Sequence, residues 1–131
     1  MLAAHAGFRL AGRAFPEPLA LTGSTARQLF GLLVFGPVVE TTAFALAVVA
    51  LVRTFGISGT RAVIAAAVLS GAVHGWGAGS AVIAVPAAWG FYWFGRLFLE
   101  RRSKGFGRGL GAAAWLHALC NLPAALLVLL P

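Results

Sequence analysis

Four residues of this chain sit in surroundings that do not suit them and could together do chemistry: Glu40, His74, His117 and Asn121. Each lies within an apolar run, where ionisable and strongly polar side chains are costly and mark a site by default. His117 and Asn121 belong to the stretch Trp115-Leu116-His117-Ala118-Leu119-Cys120-Asn121. Their spacing stacks them one turn apart on a single helix face. One carboxylate, two imidazoles and one carboxamide admit three chemistries. In hydrolysis, Glu40 is the general base on a water, and the histidines hold a metal or bond the water and the scissile carbonyl. Asn121 then donates its amide N–H to the developing oxyanion. In a proton or ion relay, the same residue types hand protons along. In a haem protein, His74 and His117 are axial ligands, which leaves Glu40 and Asn121 without a task.

Zinc poses a question of arithmetic. Glu40, His74 and His117 form a His₂Glu ligand set with a position open for water. Glu40 is then a ligand, and no second carboxylate remains in the apolar runs to act as base. With Glu40 as the base, the metal keeps two histidines and at most the Asn121 oxygen. Zinc is therefore either bound by an incomplete set or not used. Each residue also has a plainer use. A histidine or an asparagine can tie two membrane helices together, and Glu40 can be a protonated packing acid.

The elements that must position these residues follow from composition. The chain has 131 residues, of which 60% are hydrophobic and only 10% charged. Its mean hydropathy is +0.92. A water-soluble domain of this size has too much surface per volume to hide so much apolar area. The expected class is an all-α integral membrane protein, a bundle of about four transmembrane helices in contact with the lipid bilayer. The net charge of +7 falls in the connections between apolar runs. The positive-inside rule places it there, so nucleic acid is not an expected partner. The lone cysteine, Cys120, excludes an intrachain disulfide and is expected to be a small buried hydrophobe.

Residues 1–27 are expected to form an interfacial or mobile segment, with His5, Arg9, Arg13 and the break Pro16-Glu17-Pro18. It lacks the apolar core and cleavage site of a signal peptide. Residues 28–131 are expected to be the four-helix core. Its spans are expected at about Gln28–Leu51, Arg61–Trp76, Ala81–Leu99 and Gly109–Leu130. Gly71 and Gly75 form a small-xxx-small pair that lets another helix approach closely. Gly77-Ala78-Gly79-Ser80 reads as a tight, uncharged turn. Pro86 is tolerable in a membrane helix, and Pro123 is expected to loosen the last one. Trp89, Tyr92 and Trp93 are expected to pack. Arg53, Arg61, Arg96, Arg101, Arg102, Lys104 and Arg108 flank the first–second and third–fourth connections. Those basic connections are expected in the cytoplasm, with the protein in a bacterial cytoplasmic membrane.

Depth gives a check that needs no motif. Glu40 lies about 13 residues from Arg53, His74 about 13 from Arg61, Asn121 about 13 from Arg108 and His117 about 9. At about 1.5 Å per helical residue, all four sit roughly 13–20 Å from the same face. Independent placement would scatter them.

The residues also resemble a known family. The chain is similar to the CPBP intramembrane proteases, which include CAAX prenyl proteases and bacteriocin-processing and abortive-infection proteins. That family carries paired glutamates followed by an arginine, then Phe-x-x-x-His, then His-x-x-x-Asn or Asp. The third motif stands here as His117-Ala118-Leu119-Cys120-Asn121. The second keeps His74, with Ser70 in the usual Phe position. The first keeps Glu40 in Pro37-Val38-Val39-Glu40, with Thr41 for the second Glu and Ala45 for the Arg. The resemblance spans about 35–127. It implies an intramembrane endopeptidase acting on a membrane peptide or membrane protein. Glu40 would be its base, and His74, His117 and Asn121 would orient water and stabilise the oxyanion. It admits zinc on His74, His117 and Glu40. The departures at 41 and 45 keep open an inactive homologue that binds other membrane proteins. Neither substrate nor oligomeric state follows from the sequence.

Overall fold

The computed structural model describes residues 24–129. The expected interfacial segment, 1–27, therefore lies outside the described residues for all but its last four positions. The chain begins with helix α1 (Thr25–Phe30), a π-helical turn (Gly31–Phe35) and helix α2 (Gly36–Phe55), which run on as one rod, Thr25–Phe55. Helices α3 (Gly59–Gly77) and α4 (Ala81–Arg101) follow. A short 3₁₀ turn (Arg102–Lys104) then leads into α5 (Phe106–Val128). No strand occurs among the described residues.

Local chemistry sets these limits. The Ser24 and Ser58 hydroxyls accept hydrogen bonds from the Arg27 and Arg61 backbone N–H groups, capping α1 and α3. Gly56, at φ 63°, closes α2 in the left-handed conformation that suits glycine. The Gly77–Ser80 turn closes through Ser80 N–H to the Gly75 carbonyl at 2.9 Å. The first two spans reach beyond their expected limits at both ends, the third runs on to Arg101, and the last starts earlier, at Phe106, and ends at Val128, short of the expected Leu130.

Thr25–Phe55, Ala81–Lys104 and Phe106–Leu129 are long and apolar enough to cross a membrane. The fold is an all-α membrane bundle. The remaining helix, α3, has 19 residues, about 28 Å at 1.5 Å per residue. It carries Arg61, Ser70 and His74.

Helix α4 is the centre of the packing, between α3 and α5. A Cβ added to Gly71 would lie 2.5 Å from the Ala84 carbonyl oxygen, and one added to Gly75 would lie 2.8 Å from the Ala84 Cβ. The small pair on α3 is thus where α4 docks. The core is built from Phe44, Ala45 and Val48 of α2, Ala62, Val63 and Ala66 of α3, Phe91, Phe94 and Phe98 of α4, and Ala113 of α5. Much of the outer surface is apolar, including Val38, Leu46, Val68, Val85 and Leu126, as a lipid-facing surface requires.

Three local expectations are corrected. Cys120 is exposed. The buried positions of α5 run Gly109, Ala113, His117 and Ala125, and Cys120 lies off that stripe. The last helix passes Pro123 without a break. Trp89, Tyr92 and Trp93 do pack, but on one another. Ring centroids lie 5.4–6.0 Å apart, on a face where Trp89 and Trp93 are exposed.

Candidate functional site

The four candidate residues come from three directions. Glu40 is on α2, just beyond the π turn; His74 is near the end of α3; His117 and Asn121 are in the middle of α5. Glu40, His74 and His117 meet. His74 Nε2 lies 3.3 Å from Glu40 Oε2, and His117 Nε2 lies 3.6 Å from the same oxygen. One carboxylate oxygen is flanked by the Nε2 atoms of both imidazoles. Equal depth along three helices becomes contact because the core turns the three faces inward.

Each histidine is held from its other nitrogen. His74 Nδ1 donates to the Ser70 carbonyl, one turn back on α3, at 2.8 Å. His117 Nδ1 lies 3.1 Å from Thr41 Oγ1 across the α2–α5 interface. Aromatic rings fix the planes. Phe94 stacks on His117 at a centroid distance of 4.6 Å, and Phe91 touches both imidazoles, at 5.2 Å from His74 and 5.5 Å from His117. The site is graded in burial. The His117 side chain is 8% exposed, whereas His74 and Glu40 are 36% and 41% exposed. The carboxylate and His74 are thus partly uncovered at the surface of the bundle, and His117 lies buried behind them.

Asn121 stands apart from this trio. Its Nδ2 donates to the Leu32 carbonyl at 2.8 Å. The reason lies in the π turn. Gly36 N–H bonds back to the Gly31 carbonyl, a five-residue step. The next donor in that register would be residue 37, and Pro37 has no N–H. The Leu32 carbonyl is left without a helical partner, and Asn121 supplies one. Gly36 is required at this tight place, since a Cβ there would come within 2.8 Å of the Gly31 carbonyl oxygen.

Thr41, Phe91, Phe94 and Leu32 thus join the site without having been expected there. Phe91, Phe94 and Phe98 share one helical face, a spacing that could have pointed to them. Thr41 follows Glu40 directly and is fully buried. Ala45, also fully buried in the core, leaves no space where an arginine would stand.

The donor set was tested against zinc. Among the described residues, no group of three His, Cys, Asp or Glu side chains could hold a metal ion. The tie from His117 Nδ1 to a hydroxyl also differs from the carboxylate or carbonyl acceptor that usually supports a zinc-bound imidazole. What the arrangement can do with its own groups is move a proton at Glu40 Oε2, with imidazole nitrogens on two sides.

No family model matches this chain, and no match was found among curated proteins or solved structures.

Proposed function

We propose that the chain is an intramembrane endopeptidase of the CPBP type, hydrolysing a peptide bond within or near the bilayer. The observation that carries this reading is a carboxylate oxygen flanked by two imidazole Nε2 atoms, set inside a span and partly exposed at the bundle surface. Glu40 takes a proton from water as the hydroxide forms its bond to the scissile carbonyl carbon. His117 faces the developing oxyanion from the buried end. Glu40 then returns the proton to the leaving amine as the C–N bond breaks. His74 keeps Glu40 oriented and shares its proton. No step is routed through a metal, and metal analysis of the purified protein tests that choice. Prenylated tails, leader peptides and other membrane segments are all compatible with this set of residues. The basic connections face the cytoplasm of a bacterial cell in this reading, which rests on charge asymmetry.

A specific observation favours a second reading. The Asn121 amide is committed to the Leu32 carbonyl, so one oxyanion donor of the first reading is already engaged. A non-catalytic homologue that binds membrane proteins fits that feature. The test is cleavage of a panel of membrane peptides by protein reconstituted in bilayers. Wild type is expected to cleave at least one peptide, and Glu40→Gln and His74→Ala are expected to cleave none while remaining folded. No cleavage by wild type, with partner capture unchanged in the variants, would establish the second reading.

A further inference from the structure

We infer that Thr41 is a positioning residue that fixes the proton of His117 on Nε2, so that the two imidazoles flanking Glu40 are held in opposite tautomers. The inference starts from His74. Its Nδ1 lies 2.8 Å from the Ser70 carbonyl oxygen. A carbonyl can only accept, so Nδ1 carries the proton. In the neutral ring, Nε2 has no hydrogen of its own, so its 3.3 Å hydrogen bond with Glu40 Oε2 needs a proton that the two atoms share.

His117 is held differently. Thr41 Oγ1 can donate or accept, so the bond to Nδ1 does not by itself assign the proton. Burial decides it. Thr41 is 0% exposed, and among the described residues its hydroxyl has one hydrogen-bond partner, His117 Nδ1. Its neighbour shows the alternative: the Thr42 hydroxyl donates to the Val38 carbonyl at 2.6 Å. Thr41 makes no such bond to its own helix. If Thr41 accepted from Nδ1–H, its hydroxyl proton would be buried with nothing to receive it. If Thr41 donates, that fault vanishes. Its proton rests on Nδ1, and Nε2–H points towards Glu40 Oε2.

The residue that departs from the family pattern thus acquires a task. An acidic side chain at 41 would accept from Nδ1–H and leave Nε2 bare, the form a metal ligand needs. A threonine that donates makes His117 Nε2 a donor, which takes it out of any zinc ligand set. Glu40 Oε2 then faces the N–H of His117 and shares a proton with His74 Nε2. The trio is asymmetric, with His74 the basic partner and His117 the donor.

The test reads proton positions directly and does not depend on the hydrolase reading, so the two can fail separately. The whole chain, labelled with ¹⁵N-histidine and reconstituted in lipid bilayers, is examined by NMR above the pH at which imidazole titrates. Signals are assigned by comparison with His74→Gln and His117→Gln. The expected result is a protonated Nε2 and a bare, hydrogen-bonded Nδ1 for His117, with the reverse assignment for His74. Thr41→Val is expected to move the His117 Nδ1 resonance to that of an unbonded bare nitrogen, and Thr41→Ser to leave it in place. A protonated Nδ1 on wild-type His117 would overturn the inference, as would an Nδ1 resonance indifferent to Thr41→Val. The wild-type spectrum alone decides the first point even if the valine variant does not fold.

Discussion

Glu40 and Ala45 separate, within a single helix, what a side chain does from what the packing allows. A general base of the kind proposed for Glu40 is worth about 10²–10⁴-fold in rate. Glu40→Gln keeps the shape of the side chain, so it should lower peptide cleavage by about that factor with little change in melting temperature. Ala45 is fully buried beside Phe44 and Val48. Ala45→Arg forces an unpaired charge into the core and is expected to destabilise by at least about 3 kcal/mol, read as loss of the folded fraction in detergent. An arginine at this position should therefore not raise the proposed activity. At this scale the sequence was partly legible. Counting residues along apolar runs gave the depth of Glu40, His74 and His117, because rise per residue is constant. It could not give Thr41 as the partner of His117. That contact depends on how far α2 and α5 are rotated about their axes, and the rotation is set by Phe44, Phe91 and Phe94 packing together. The Leu32 tie was hidden for another reason: a carbonyl left free by Pro37 depends on backbone register, which residue types do not display.

Elements carry their own consequences. The π turn and α5 are pinned by the bond from Asn121 to Leu32. Asn121→Ala leaves a part-buried carbonyl without its donor and should cost about 1–3 kcal/mol in unfolding free energy. Pro37→Ala gives the π register a donor of its own. In that background the Asn121→Ala penalty should shrink, and a double-mutant cycle measured by unfolding in micelles checks it. Equal penalties in both backgrounds would mean that Pro37 is not what frees the carbonyl. The α3–α4 hairpin makes a second case. Gly71→Val would drive a side chain into the Ala84 carbonyl and Ala88 Cβ, both within 2.6 Å of the added Cβ. Overpacking of that kind costs about 1–3 kcal/mol or more. Gly77→Ala, with nothing within 4 Å of its Cβ, is the matched control and should leave the melting temperature nearly unchanged.

Among the described residues, charge gathers at one end of the bundle, with Arg27 at the other. Arg53, Arg61, Arg96, Arg101, Arg102, Lys104 and Arg108 gather around the α2–α3 and α4–α5 connections, with Glu100 as the acid among them. The α3–α4 turn has no charge. In intact cells, with Cys120→Ala as background, a cysteine at Ser103 should react with a membrane-impermeant reagent only after the cytoplasmic side is opened. A cysteine at Ser80 should react from outside. The opposite pattern would invert the orientation. The general architecture was legible from hydropathy, since long apolar runs in a small chain have no other stable arrangement. The partial exposure of His74 and Glu40 was not, since it depends on how α3 docks on α4 through Gly71 and Gly75.

The outer bonds of the two histidines have one more effect. A proton that reaches Glu40 can pass to His74 Nε2, but beyond the ring stands the Ser70 carbonyl, which cannot hand a proton on. On the other side, His117 ends at the Thr41 hydroxyl, sealed in the core with no second partner among the described residues. Among these groups the wire is insulated at both ends. It behaves as a capacitor and not as a conductor, holding one charge and releasing it where it was taken up. Proteoliposomes carrying the protein should therefore show no proton current above that of empty vesicles when a pH gradient is imposed.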